Sequence, residues 1–175
     1  MRKIIIAAML YVLATPAVAA DFYAGVKLGP SNVGYSNVSK NNQLGWGVFG
    51  GYQISRLFSA EAEYVNLGGF DTSVSTNKVS AVAIKGVGTF PLGEKFSLIG
   101  KVGVSVSTIS LTARHGWILS ESSISNTGVT AGFAGQYNVS PEFGVRAGID
   151  VYPVGNDTIN TTTAHQLSIY GVYKF

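Results

Sequence analysis

Apolar and polar residues alternate with a period of two along most of the chain beyond residue 20, the spacing of strands with one face buried and one face polar. From Phe96 to Ser107, Phe96, Leu98, Val102, Val104 and Val106 share one face, opposed by Ser97, Lys101, Gly103, Ser105 and Ser107. From Leu57 to Val65, Phe58, Ala60, Ala62 and Tyr64 oppose Ser59, Glu61 and Glu63. From Phe143 to Tyr152, Phe143, Val145, Ala147, Ile149 and Val151 oppose Gly144, Arg146, Gly148 and Asp150. Five further segments follow suit, at about Phe22–Gly29, Gly45–Gln53, Val79–Phe90, Thr127–Tyr137 and Ala164–Phe175. Clusters of Gly, Asn, Ser, Thr and Pro separate them, as turns do.

The connections alternate in length. Ile54–Arg56, Pro91–Lys95 and Asn138–Glu142 are tight. Pro30–Leu44, Asn66–Lys78, Thr108–Asn126 and Pro153–Thr163 are long and polar. Three short and four long links suit eight antiparallel strands with both termini on the short-turn side.

Composition and charge decide which face points inward. Of 175 residues, 46% are hydrophobic, only 12% are charged and 22 are glycine. Charged residues are about half as frequent as in soluble domains. Eight charges lie in the strand segments: Lys27, Glu61, Glu63, Lys85, Lys101, Arg146, Asp150 and Lys174. All eight share the face of the glycines and serines. A soluble sandwich or lipocalin-like barrel would show water a wide, charged polar face; here that face is small and rich in Gly, which suits the interior of a narrow barrel. The apolar face carries aromatics near strand ends: Phe22, Trp46, Tyr52, Phe58, Tyr64, Phe90, Phe96, Tyr137, Phe143, Tyr173 and Phe175. Such girdles mark the two lipid–water interfaces of an outer-membrane barrel. In lipid an open sheet edge would leave backbone groups unpaired, so the strands must close.

The N-terminus reads as an export signal. Arg2 and Lys3 precede eleven apolar residues, Ile4 to Ala14, and Ala17-Val18-Ala19-Ala20 offers cleavage after Ala19 or Ala20. Residues 1–20 are then a cleaved signal and 21–175 one barrel domain. Without Arg2 and Lys3, ten basic residues face nine acidic ones, a balance that argues against nucleic acid as a partner. Cysteine is absent, which excludes disulfides and thiolate chemistry.

Several motifs resemble the OmpA transmembrane domain family. They are Phe22-Tyr23-Ala24-Gly25-Val26-Lys27-Leu28-Gly29, Asn42-Gln43-Leu44-Gly45 with Phe49-Gly50-Gly51-Tyr52-Gln53, the turn Pro91-Leu92-Gly93-Glu94-Lys95-Phe96, and Thr127-Gly128-Val129, Phe133-Ala134-Gly135 and Ser140-Pro141-Glu142 in order. The resemblance covers nearly all of the chain beyond the signal. It implies a monomeric, all-β, eight-stranded antiparallel up-and-down transmembrane barrel. It also implies a lumenal charge gate in which Glu61 faces Arg146, with Lys85 as a third member and Lys101 and Gln136 as polar lumen positions. The sequence stops at Phe175, without the peptidoglycan-binding domain of full-length family members, so wall anchoring is not implied. A terminal aromatic behind alternating apolar residues, Phe175 after Tyr173, resembles the signal read by the outer-membrane assembly machinery.

Other chemistry is weaker. Gly45-Trp46-Gly47-Val48-Phe49-Gly50 fits a dinucleotide fingerprint literally, but that motif needs a helix to follow it and here it lies inside a strand. A lipid-modifying hydrolase needs Ser, His and an acid within reach; His165 and Ser168 fall on opposite strand faces with no acid beside the histidine, and His115 lies in a long connection. No His, Asp and Glu cluster has metal-ligand spacing, so no cofactor or metal is implied. The lumenal charges, Lys27, Glu61, Glu63, Lys85, Lys101, Arg146 and Asp150, with the neutral Gln136, are the candidate site, and two readings stand: a plug of paired charges or a gate. Thr108–Asn126, with Ile109, Leu111, Trp117, Ile118 and Leu119, is either a binding surface or an extension of the flanking strands.

The chain is thus read as an integral outer-membrane protein of a Gram-negative bacterium and not an enzyme. Its role is structural or surface-directed, with narrow porin-like permeability at most. Lipid and lipopolysaccharide are its surroundings, and a host surface ligand could bind through the loops.

Overall fold

The computed structural model describes residues 22–33, 42–72, 75–115, 118–154 and 163–175. The export signal expected at residues 1–20 lies outside them, as do the tips of all four long connections. The eight strands are β1 Phe22–Val33, β2 Asn42–Gln53, β3 Phe58–Thr72, β4 Ser75–Pro91, β5 Phe96–His115, β6 Ile118–Asn138, β7 Phe143–Pro153 and β8 Thr163–Lys174. Each pairs antiparallel with its chain neighbours, and β1 pairs with β8 to close the barrel. Closure leaves no ladder edge to face lipid, where each unsatisfied backbone group would cost several kcal/mol.

Serine side chains shape two of the three short turns. Ser55 Oγ accepts from the Phe58 amide at 3.1 Å, and Ser140 Oγ from the Phe143 amide at 3.0 Å. Two amides of each turn also converge on one carbonyl, that of Phe58 or Phe143. A serine at the same place in both turns supplies an acceptor that the extended ladder would otherwise provide.

Every aromatic assigned to the outer face is exposed on it, and neighbouring rings meet at tilted or edge-on angles. At the short-turn end the ring centroids of Phe22 and Tyr52 lie 5.0 Å apart, those of Phe96 and Tyr137 4.9 Å, and those of Tyr173 and Phe175 5.2 Å. Toward the other end Trp46 meets Tyr64 at 5.9 Å. Between these belts the outward residues are apolar, among them Val26, Ile84, Val104, Val129 and Ile169. Because transfer into hydrocarbon favours such side chains, they hold the barrel across the bilayer.

Asn66–Lys78, expected as a loop, is largely strand, and of the two readings of Thr108–Asn126 the structure shows the extension of the flanking strands. Asn66–Lys78 continues β3 and β4 as a ladder down to Thr72↔Ser75, and Thr108–Asn126 continues β5 and β6 down to His115↔Ile118. A spanning strand needs about 9–11 residues, whereas β5 has 20 and β6 has 21. Roughly half of that hairpin therefore stands outside the bilayer. Asp71, Lys78, Arg114 and Glu121 fall in these extensions. Polar composition obscured them, because a ladder in water needs no apolar face for its backbone to pair. A bulge shifts the β3–β4 register between Asn66 and Gly68. Gly68 takes φ +88° there, and Asn66 Oδ1 accepts its amide at 2.9 Å. A side chain at that φ would be strained.

Candidate functional site

The inward charges form two linked clusters. In the first, Glu61 on β3 accepts Arg146 Nη1 from β7 at 2.8 Å and the Tyr23 hydroxyl from β1 at 3.0 Å through Oε1. Its Oε2 lies 3.2 Å from Lys101 Nζ of β5, without hydrogen-bond alignment. Arg146 also donates through Nε to Gln136 Oε1 at 3.1 Å. In the second cluster Glu63 and Asp150 alternate with Lys27 and Lys85. Lys85 Nζ lies 2.6 Å from Glu63 and 3.1 Å from Asp150, and Lys27 Nζ lies 3.2 Å and 3.3 Å from the same two carboxylates. Tyr152 donates to Glu63 at 2.5 Å, and Tyr170 donates to Asp150. All these charged side chains are almost wholly buried. Ions taken out of water need compensation of this kind, because an unpaired one costs several kcal/mol.

Aromatic rings join the clusters. Phe49 and Tyr170 meet edge to face at 5.8 Å. Lys101 Nζ sits 4.6 Å from the Tyr170 ring centre, and the Arg146 guanidinium 5.6 Å from that of Phe49. The ring faces attract these cations with little water to screen them.

Strand register explains the glycines of the inner face. Lys27 lies opposite Gly47, Glu61 opposite Gly51, Lys85 opposite Gly103, and both Lys101 and Asp150 opposite Gly132. A Cβ at Gly132 would collide with the Asp150 carboxylate, and one at Gly51 with the Tyr23 ring. The missing side chains make room for long charged ones in a narrow lumen.

Lys85 departs from its expected place beside Glu61. It is the register partner of Glu61, yet its ammonium reaches Glu63 and Asp150. The two oxygens of Glu61 already face Arg146 and Lys101, so Lys101 is the third member of that cluster. Parity alone placed these seven charges inside, with Lys174 on the same face at the cavity wall, but could not say which would meet.

The alternation pattern also missed apolar groups within the lumen. Toward the long-connection end Val65, Leu67, Val79, Ala81, Tyr152, Val154 and Ala164 pack together, none more than 2% exposed. A smaller cluster of Val87, Ile99 and Ala134 lies nearer the short turns. Continuing the inward parity through Val65, Val79, Ile99 and Tyr152 would have found them. At the short-turn end a cavity of about 170 Å³ opens beneath Arg146, with Tyr23, Ser97, Gln136, Arg56 and Lys174 in its wall.

The remaining candidates stand apart. The Phe175 amide donates to the Phe22 carbonyl at 3.0 Å, and that of Lys174 to the Glu142 carbonyl at 2.7 Å, tying the chain end to two neighbours. His165 is exposed on the outer face, its ring 3.3 Å from the Thr163 hydroxyl, while Ser168 is buried in the lumen. His115 is the last residue of β5, and its side chain lies outside the described set. Gly45, Gly47 and Gly50 all lie within β2, with no helix following. Among the described residues no three metal-ligating side chains come together.

The model of a family described as the outer membrane protein beta-barrel domain matches residues 5–175. The chain belongs to that family. It is an integral protein of the outer membrane, and its short turns therefore face the periplasm. Solved barrels of the same fold include Neisserial surface protein A (NspA), with TM-score 0.71 and 17% identity over 88% of this chain and 97% of that one. The attachment invasion locus protein Ail of Yersinia pestis gives TM-score 0.65 and 14% identity over 90% and 99%. OprG of Pseudomonas aeruginosa gives 0.55 and 14% over 90% and 96%. No curated protein sequence matches the chain.

Proposed function

We propose that this family member is a closed, monomeric anchor that displays its long outer hairpins at the cell surface as a binding platform, with no catalytic role. The observation that carries this reading is the apolar plug at the outer end of the lumen. Ions crossing it would have to shed water against the side chains of Val65, Leu67, Val79 and Val154, which offer no replacement for it. Below it, the paired charges fill what a pore would need to leave open. The fold thus supports at most a narrow leak, and the charge network acts as a structural plug rather than a gate.

The display part rests on the hairpins. The β5–β6 ladder continues well beyond a membrane span, which holds its tip away from the lipid. In sequence that tip carries Trp117, Ile118 and Leu119, side chains suited to an apolar contact. Ail of Yersinia pestis, named for attachment and invasion, has also been solved with the heparin analogue sucrose octasulfate, at TM-score 0.62 and 16% identity to this chain. The outer connections here hold three cations, Lys40, Lys78 and Arg114, against three anions, Asp71, Glu121 and Asp157. Their balance favours an apolar or hydrogen-bonding host ligand over a polyanion.

Two measurements test the proposal. Planar-bilayer recordings of the refolded protein should show no sustained channel conductance. Joining the paired Ile109 and Ile124 by a short turn, which removes the hairpin tip, should abolish adhesion of expressing cells to host cells while leaving the barrel assembled. Stable ohmic channels would overturn the anchor, and unchanged adhesion would overturn display by this hairpin.

A further inference from the structure

The charges of the lumen do not balance. Lys27, Lys85, Lys101 and Arg146 carry four positive charges against three negative ones on Glu61, Glu63 and Asp150, and all seven are buried. The tyrosines that join them are neutral hydrogen-bond donors and add none. The two upper lysines share two carboxylates, so the surplus falls on Arg146 and Lys101, which divide Glu61 between them. Lys101 Nζ makes no hydrogen bond. Arg146 donates through Nε to Gln136 and through Nη1 to Glu61.

The cavity at the periplasmic end meets this surplus. Its wall includes Arg146 and, nearer the mouth, Arg56 and Lys174; no Asp or Glu is among its lining residues. Polar side chains of Ser59, Thr89, Ser97 and Gln136 share the wall with Phe58, Pro91 and Val172. Its volume of about 170 Å³ corresponds to about five or six waters at about 30 Å³ each, enough for a small oxyanion with part of its hydration shell.

We infer that this vestibule is a binding site for a small oxyanion of the phosphate class, drawn from the periplasm and seated between Arg146, Arg56 and Lys174. The planar guanidinium of Arg146, fixed on two sides by Glu61 and Gln136, presents its remaining edge to the anion, the geometry in which Arg binds phosphate oxygens. The bound anion supplies the negative charge that the buried network lacks. The site does not depend on whether the barrel conducts or on what the outer hairpins bind.

The test is isothermal titration of the refolded mature barrel in detergent with inorganic phosphate, at constant ionic strength so that general screening is the same throughout. Wild type should show saturable binding, with chloride competing poorly. The Arg56→Gln/Lys174→Gln variant removes two cations that take no part in the lumenal ion pairs, and should bind at least about tenfold more weakly, a loss of about 1.4 kcal/mol. Lys78→Gln, on an exposed outer strand position, should bind as wild type does. Heat modifiability in gels establishes that each variant is folded; if the double variant fails to fold, Lys174→Gln alone serves. The absence of saturable phosphate binding by wild type, equal affinity in the vestibule variants, or an equal loss in Lys78→Gln would overturn the site.

Discussion

Glu61 and Arg146 should be unequal partners. Glu61→Ala removes the carboxylate that faces both Arg146, at 2.8 Å, and Lys101, at 3.2 Å. Four buried cations would then share two carboxylates. Arg146→Ala instead leaves Glu61 with Lys101 and the Tyr23 hydroxyl, and three cations face three anions. Loss of one member of a buried pair costs about 3–5 kcal/mol. The side chains of Glu61 and Arg146 are 0% and 4% exposed, so solvent screens little of it. Glu61→Ala should lie in that range, and Arg146→Ala roughly 1–2 kcal/mol below it, since Glu61 keeps one of its two ionic partners. With a urea slope of about 2 kcal/mol/M, the Glu61→Ala midpoint should fall by roughly 2 M. The double variant restores the original surplus of one, so its cost should be less than the sum of the single losses by about 1–3 kcal/mol. The assay is urea unfolding in lipid vesicles, followed by tryptophan fluorescence and by the heat-modifiable band. Equal losses in the two single variants, the reverse order, or strict additivity would refute the charge-balance argument.

Four other outcomes follow from the same geometry. Tyr170→Phe removes a donor to buried Asp150 and should cost about 1.5–3 kcal/mol in the same unfolding assay. Leu67→Ala opens space in the apolar plug; it should destabilise the barrel by about 2–5 kcal/mol and raise conductance bursts in planar bilayers above wild type. Gly51→Val drives a side chain into the Tyr23 ring, and no heat-modifiable band should form after refolding. Deleting Phe175 should lower the assembled fraction in cells more than the refolded fraction in detergent, as measured by gel shift, because only cellular assembly needs recognition of the chain end; equal effects in both would leave only the Phe22 hydrogen bond and the girdle ring to explain it.

The period-two alternation, the absence of charge from the apolar face and the three short against four long connections determine eight strands, their closure and their orientation. Closure has a single physical source: lipid offers no partner for an open ladder edge, so an apolar-faced sheet must curl onto itself. Parity also places Lys27, Glu61, Glu63, Lys85, Lys101, Arg146 and Asp150 inside, because a side chain in a strand can point only in or out. The partner each charge takes is a different matter. Lys85 sits opposite Glu61 in the register but bonds Glu63 and Asp150, since its four-carbon stem spans more than one rung and Glu61 is already occupied from β5 and β7. The apolar plug likewise depends on β3, β4, β7 and β8 meeting across the lumen, and each contributes only one or two of its residues. The extended hairpins escaped the alternation rule because outside the bilayer the ladder is held by its own backbone bonds, with no lipid to impose an apolar face. Strand number and the inner set of side chains are local properties of the chain, written in its periodicity. Pairing inside the barrel is decided by distances between strands far apart in sequence, and those exist only once the sheet has closed.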